Sequence, residues 1–305
     1  MEIPAELRRI PPKTTLDWVA RQFGAGAAVT GVRRLRNAWA AAVHAVDVDD
    51  GAGARHELVL RRWARTDLPP DPGVVENEAA VLTLLHDVER VCTPRLVVAD
   101  PEGAAADAPA VVMTRLRGTD DLAPLDLDRY LDALVAALRE IHGTVVAPGA
   151  LPAYRPWNVD GPIERPPWST RPDVWERAVE IARAPIPAHR PALCHRDFHP
   201  ANVLWHHGEL SGVVDWSHAC TGPVAVDVAH CRVNLSLLFG RDVADDFAHR
   251  YGPVEHLAWF DLVDVVGFDT IDAWRWQDAG RLDITSESIG AAFDDFLAAA
   301  VEQLS

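Results

Sequence analysis

Lysine is nearly missing from this chain: Lys13 stands alone among 29 basic residues. A Walker-type phosphate loop needs a G-K-[ST] triplet, so that class of nucleotide-binding enzyme is excluded. Cysteine is scarce too. Cys92, Cys194, Cys220 and Cys231 form no C-x-x-C pair, which reads as reduced thiols of a cytoplasmic protein rather than a disulfide framework. No apolar run approaches the roughly 18 residues a membrane span requires. The opening Met1-Glu2-Ile3-Pro4-Ala5-Glu6 lacks the basic-then-apolar order of a secretory signal. Internal repeats and low-complexity tails are missing as well. The expectation is a soluble, globular, cytoplasmic protein of 305 residues, 49% apolar, large enough for one big domain or two lobes.

Charge is plentiful but uneven. The net charge is −16; before Thr119 there are 15 basic and 16 acidic residues, and from Thr119 onward 14 and 29. Almost all of the negative field therefore belongs to the second part. Such a field repels nucleic acid and anionic membranes and gathers cations, so neither nucleic acid nor membrane is expected as a partner. The same acidity also serves solubility alone, and composition does not choose between the two readings.

Hydrophobic spacing gives the organisation. Thr14-Thr15 before Leu16, Trp18, Val19 and Phe23 predicts a capped helix ending at Gly24. Strands are predicted over 29–35, 41–48, 56–63, 94–100 and 110–113, with a helix over 76–85 between them. From Leu127 to Ile141 the apolar residues follow helical spacing. Helical patterns recur over 174–183 and from Val226 to the end, around a Pro- and Trp-rich irregular connection over 152–171. The fold class is α+β: a small antiparallel-sheet lobe over 1–117 and a larger, mostly helical lobe over 118–305.

The densest polar cluster is CHRDFHPANVLW, starting at Cys194, which contains H-x-D-x-x-x-x-N. Beyond it Val213-Val214-Asp215-Trp216 places an aspartate at the end of a second short strand. Phosphoryl transfer needs a carboxylate to orient the attacking hydroxyl and oxygen ligands to hold magnesium against the phosphates. Asp197, Asn202 and Asp215 supply those three groups.

At these residues the sequence resembles the aminoglycoside phosphotransferase and choline kinase family, relatives of the protein kinases. That resemblance implies a two-lobed protein-kinase-like fold and an ATP- and Mg²⁺-dependent phosphotransferase acting on a hydroxyl of a small, cationic molecule. It implies Asp197 as the catalytic carboxylate with His195 orienting its loop, and Asn202 and Asp215 as magnesium ligands. Gly222-Pro223 with Asp227-Val228-Ala229 resembles the segment whose aspartate braces the catalytic loop. In the first lobe Arg61 stands where relatives often carry lysine, and Glu78 resembles the helix glutamate. Val111 to Gly118 resembles the hinge, with Met113, Thr114 and Leu116 against adenine. Acceptor contacts are expected on the helical side, from Asp272, Trp276 and Asp294, with Asp269, Trp274, Asp278 and Asp295 nearby.

Two departures from the family pattern motivate another reading. Arg61 replaces an ammonium by a bulkier fork, and the segment Leu35-Arg36-Asn37-Ala38-Trp39-Ala40-Ala41 lacks the glycines that let backbone amides approach phosphate. A binding module that kept the fold without the chemistry is the alternative. A zinc hydrolase is the third reading, because His195 and His199 stand four apart with His206, His207 and His218 close by. Pro200 breaks any helix that would present the first two together, and the sequence fixes no third ligand.

Overall fold

The computed structural model describes residues 3–305 except 37–38, 69, 89, 158–160 and 269–270. The expectations placed on Asn37, Ala38 and Asp269 lie outside the described residues. Two compact units emerge: residues 1–118 with 204–207 and 211–218, and residues 119–203 with 208–210 and 219–305.

The first unit opens with α1 (Ala5–Arg8) and α2 (Lys13–Arg21), followed by β1 (Ala28–Arg34), β2 (Ala42–Asp49) and β3 (Arg55–Arg62). Then come α3 (Val74–Leu84), β4 (Leu96–Asp100) and β5 (Ala110–Thr114). The sheet runs β1-β2-β3-β5-β4, each neighbour antiparallel. Period-two alternation sorts its side chains between two faces. Val46 and Val48 of β2, Leu58 and Leu60 of β3 and Val112 of β5 share a core with Trp18 and Val19 of α2. Burying each such aliphatic side chain contributes roughly 1.5–3 kcal/mol. The same alternation sends the adjacent Arg61 and Arg62 to opposite faces. Both are buried; Arg62 donates to Asp107 and to the Arg9 carbonyl. Helix α2 starts one residue before the expected Thr14-Thr15 cap, directly after Pro12 and without a side-chain cap, because Thr15 is turned inward to donate to Asp107.

The second unit holds β6 (Thr119–Asp120), α4 (Leu127–His142), α5 (Pro172–Ala182), β7 (Ala192–Cys194) and a 3₁₀ turn at Pro200–Asn202. A hairpin follows, β8 (Val203–His206) and β9 (Glu209–Val213), most of which belongs to the first unit, and then β10 (Cys220–Gly222) back in the second. The chain closes with α6 (Ala225–Phe239), α7 (Arg241–Tyr251), α8 (Leu257–Val266), α9 (Ala273–Asp278) and α10 (Ser286–Gln303). Asp126 caps α4 by accepting from the Arg129 N–H, and Tyr130, Leu131, Leu134, Val135, Leu138 and Ile141 form its buried face. Truncating Leu134 to alanine would cost about 2–5 kcal/mol. Helix α6 is buried on nearly every side, which makes it the axis of this unit. β7 and β10 pair antiparallel. Residues 152–154, expected to be irregular, add to them: Thr221 N–H donates to Pro152 O and Tyr154 N–H to Thr221 O, both at 2.8 Å. Gly222 is required there, since a Cβ would lie 2.6 Å from Cβ of Tyr154.

Candidate active site

In the second unit, β7 ends at Cys194 and the chain turns sharply through residues 195–199 before the 3₁₀ turn. Arg196 takes a left-handed backbone (φ 70°), an unfavourable state for a side-chain-bearing residue that surrounding bonds must enforce. Asp227, fully buried on α6, provides them. Its carboxylate accepts the N–H of His195 at 2.8 Å and of Arg196 at 2.6 Å, and His142 Nε2 lies 2.9 Å from it. His142 is held in turn by the Tyr251 hydroxyl at 2.7 Å. The Arg196 guanidinium lies over Trp157, 3.6 Å from the ring centroid, and donates to Arg155 O.

That turn presents Asp197. Asn202 Nδ2 donates to Asp197 Oδ2 and to its main-chain oxygen, each at 2.9 Å. His230 Nε2 stands 3.0 Å from Asp197 Oδ1, and His230 Nδ1 stands 3.0 Å from Asp264. Burial opposes ionisation of Asp197, but the facing His199 and the hydrogen bond and charge of His230 hold it well below the ordinary carboxylate range. His230 carries the proton: burial would lower it, yet Asp264 and Asp197 raise it to about 10. Burial instead pushes His199 down to about 4. The result is an ionised carboxylate clamped between an amide and a cationic imidazole.

His195, expected beside Asp197 as a catalytic group, is fully buried and edge-on to Phe198. Its Nδ1 accepts the Asp197 N–H at 3.3 Å, so it shapes the loop. Of the expected zinc set, His195 is not gathered with His199; His230 takes its place, a residue from α6 that spacing within 195–218 did not point to. His230 and Asp264 are the main residues that sequence reasoning missed. The signal for His230 was present: it lies three residues beyond Asp227 on one helix, hence on the same face.

In the first unit, Arg61 on β3 donates through Nη1 to Glu78 of α3 at 3.0 Å and to Asp215 at 2.5 Å. Asp215 lies beyond β9, which ends at Val213, and adopts a left-handed backbone (φ 66°) rather than ending a strand as expected. Ser217 Oγ donates to Asp215 Oδ1 at 2.9 Å, and Asn77 Nδ2 donates to Ser217 O. Burial, helped by the charge of Asp215, lifts the Glu78 carboxyl to about 7 against the opposing pull of Arg61. Met113 is buried on β5 between Val59 and Leu96. Thr114 spends its N–H on Arg95 O and its Oγ1 on the Arg95 N–H, so only its carbonyl fits the expected hinge role. Leu116 packs against Gly212, where a Cβ would meet its Cδ1 at 2.3 Å.

The expected acceptor residues divide. Trp276 is half-buried and edge-on to His199, with centroids 6.1 Å apart, and Asp272 precedes the same helix, α9. Asp294 is corrected to a structural residue. It is buried, and its oxygens accept from Ser169 Oγ, Thr170 N–H and Thr170 Oγ1 at 2.7–2.8 Å. A carboxylate so engaged bolts α10 to residues 169–170 and presents nothing to an acceptor. Trp274 is core, and Asp295 pairs with Arg171.

A family model described as the phosphotransferase enzyme family matches residues 31–263. No curated protein sequence matches. Among solved structures, a thermostable mutant of aminoglycoside phosphotransferase APH(4)-Ia, in apo form, aligns with TM-score 0.65 and 16% identity. The alignment covers 95% of this chain and 99% of that one. A ternary complex of a thermostable mutant of the same enzyme with ADP and hygromycin B aligns with TM-score 0.61 and 16% identity, covering 95% and 98%. Macrolide 2'-phosphotransferase MphH from Brachybacterium faecium aligns with TM-score 0.57 and 20% identity, covering 95% and 98%. The shared architecture is the two-lobed, kinase-like α+β fold.

Proposed function

Because the chain belongs to the phosphotransferase enzyme family, we propose that it moves the γ-phosphoryl group of ATP to a hydroxyl of a small, cationic acceptor such as an aminosugar or amino alcohol. The observation that carries this reading is the clamped, ionised carboxylate of Asp197, which is fit to accept a hydrogen bond from an incoming hydroxyl. Asp197 orients the acceptor oxygen in line with the γ-phosphorus. As the new O–P bond forms and the bond to the ADP oxygen breaks, the hydroxyl proton passes to the Asp197 carboxylate. The transition state is loose, so positioning and charge neutralisation supply most of the rate.

Asn202 and Asp215 would hold magnesium, and their chemistry fits: both offer the hard oxygen donors that ion prefers. The Asn202 amide nitrogen is committed to Asp197, so its oxygen is the atom left to serve. When bound, the ion neutralises charge on the phosphates. Arg61, ion-paired with Glu78, takes the place of the phosphate-contacting lysine. Met113, the Thr114 carbonyl and Leu116 would line the adenine. Trp276 offers a cation an aromatic face and Asp272 offers it charge.

Resemblance of fold to proteins whose names include aminoglycosides, a macrolide and hygromycin B supports antibiotic-like acceptors, but fold alone does not set substrate. The test is incubation with Mg·ATP and a panel of aminosugars, amino alcohols and macrolides, with product read by mass. A phosphorylated acceptor supports the reading; no product from any acceptor, together with no nucleotide binding, defeats it.

One observation favours a second reading, a binding module without chemistry: Arg61 already occupies Asp215 at 2.5 Å. A thermal shift separates the two. A rise in melting temperature with ATP that needs Mg²⁺ supports the enzyme, and no shift with either supports the module.

A further inference from the structure

We propose that Asp197 Oδ1, His199 Nε2 and His230 Nε2 form a tetrahedral zinc site that closes over the catalytic carboxylate and switches phosphoryl transfer off. Three residues of the types zinc prefers face one another: Asp197 Oδ1 lies 3.0 Å from His230 Nε2 and 3.7 Å from His199 Nε2, and each residue offers a ligand atom within 4.8 Å of the others'. Zinc bonds of about 2.0–2.2 Å in tetrahedral geometry imply ligand–ligand edges of roughly 3.3–3.5 Å. The two measured edges bracket that value.

Two independent features point to a ligand here. His199 is only 8% exposed, yet its Nδ1 has no hydrogen-bond partner, and its Nε2 stands beyond hydrogen-bond reach of the carboxylate it faces. The 3.7 Å gap between Nε2 and that carboxylate is too wide for a hydrogen bond and fits an ion held by both. Behind His230 stands Asp264, 3.0 Å from Nδ1. This is the carboxylate–histidine support that fixes the tautomer of a zinc-bound ring and raises its basicity. Three protein ligands leave the fourth position to water, an open site of the inhibitory or catalytic kind rather than a closed structural one.

Binding replaces the Nε2 hydrogen of His230, which leaves as a proton to solvent, and exchanges a hydrogen bond on Asp197 Oδ1 for a coordinate bond. The hard oxygen donors proposed for magnesium, Asn202 and Asp215, are not used. The consequence for activity rests on the phosphotransferase reading; the binding itself does not.

The experiment therefore has two arms. In the first, nucleotide-free protein is titrated with Zn²⁺ against a chromogenic chelator, and with Co²⁺ while visible absorption is recorded. One equivalent should bind, and the cobalt form should show the intense bands of tetrahedral coordination. His199→Gln should weaken zinc by at least about tenfold, and Asp264→Asn by about 10–100-fold. His206→Ala and His207→Ala, which alter a tilted pair of imidazoles outside the proposed ligand set, should change nothing. Circular dichroism and melting temperature show whether each variant is folded, and the cobalt spectrum of the unaltered chain needs no variant at all. No stoichiometric binding, a weak six-coordinate cobalt spectrum, or undiminished zinc affinity in folded His199→Gln overturns the site. In the second arm, phosphoryl transfer should fall with zinc, recover on chelation, and resist zinc in His199→Gln. Unchanged turnover in zinc-saturated protein overturns the switch while leaving the phosphotransferase reading intact.

Discussion

Replacing Arg61 by methionine keeps a long apolar stem but removes the charge between Glu78 and Asp215. Water can take over at Asp215, whose side chain is 28% exposed, but not at Glu78, which is 1% exposed. With Arg61 present, burial already lifts Glu78 from 4.5 to about 7; without it the lift continues upward. The sign follows from linkage. A carboxyl whose folded value is raised contributes stability that is complete below about pH 4.5 and is lost as pH climbs to the folded value. The loss is about 1.4 kcal/mol per unit. In the native chain that loss ends near pH 7, whereas in Arg61→Met it runs on. The variant's deficit should therefore widen above pH 7, by about 1.4 kcal/mol per unit for as long as the Glu78 carboxyl stays protonated in the folded variant. Urea unfolding from pH 6 to 9 measures it, followed by both tryptophan fluorescence and circular dichroism because two compact units need not melt together. Adding Glu78→Gln to Arg61→Met should abolish the widening. A deficit that is constant with pH, or one indifferent to Glu78→Gln, would refute the reasoning.

Other perturbations give equally definite outcomes. His44 is buried with neither ring nitrogen bonded, and burial with the charges of Arg62 and Arg34 depresses it from 6.5 to about 4. Stability it confers is whole above pH 6.5 and lost as pH falls toward 4, about 2–3 kcal/mol. His44→Leu should flatten that acid limb in denaturation curves, and an unchanged limb sinks the idea. Asp227→Ala should cost on the order of 3–5 kcal/mol by orphaning the N–H groups of His195 and Arg196. It should also speed hydrogen exchange at 195–197, and slow exchange there would argue for another brace. Asp294→Ala should cost about 2–4 kcal/mol of stability with acceptor KM unchanged; a raised KM with intact stability would return Asp294 to the acceptor site.

The strand spans of the first lobe, the core-facing stripe of α4 and the H-x-D-x-x-x-x-N turn were legible because each is written in local spacing. Val46, Val48, Leu58 and Leu60 alternate; Leu131, Leu134, Val135 and Leu138 recur with helical period. Arg61 and Glu78, indicated by resemblance, do meet. What local spacing could not carry was tertiary. Asp264 reaches His230 across 34 positions of sequence, and Asp294 reaches Ser169 across 125. An isolated aspartate carries no mark of whether it faces solvent or bridges two helices. The end of β9 was misplaced because Val213-Val214 looks strand-like, whereas Asp215 is turned left-handed where Arg61 and Ser217 bond to it.

The central claim is that the Asp197 carboxylate, clamped by Asn202 and His230, does the chemistry. Steady-state transfer from Mg·ATP by Asp197→Asn, with nucleotide affinity measured in parallel, tests it most directly. The account predicts a fall in kcat of at least ~100-fold with nucleotide affinity essentially unchanged; turnover within a few-fold of the unaltered enzyme would contradict it.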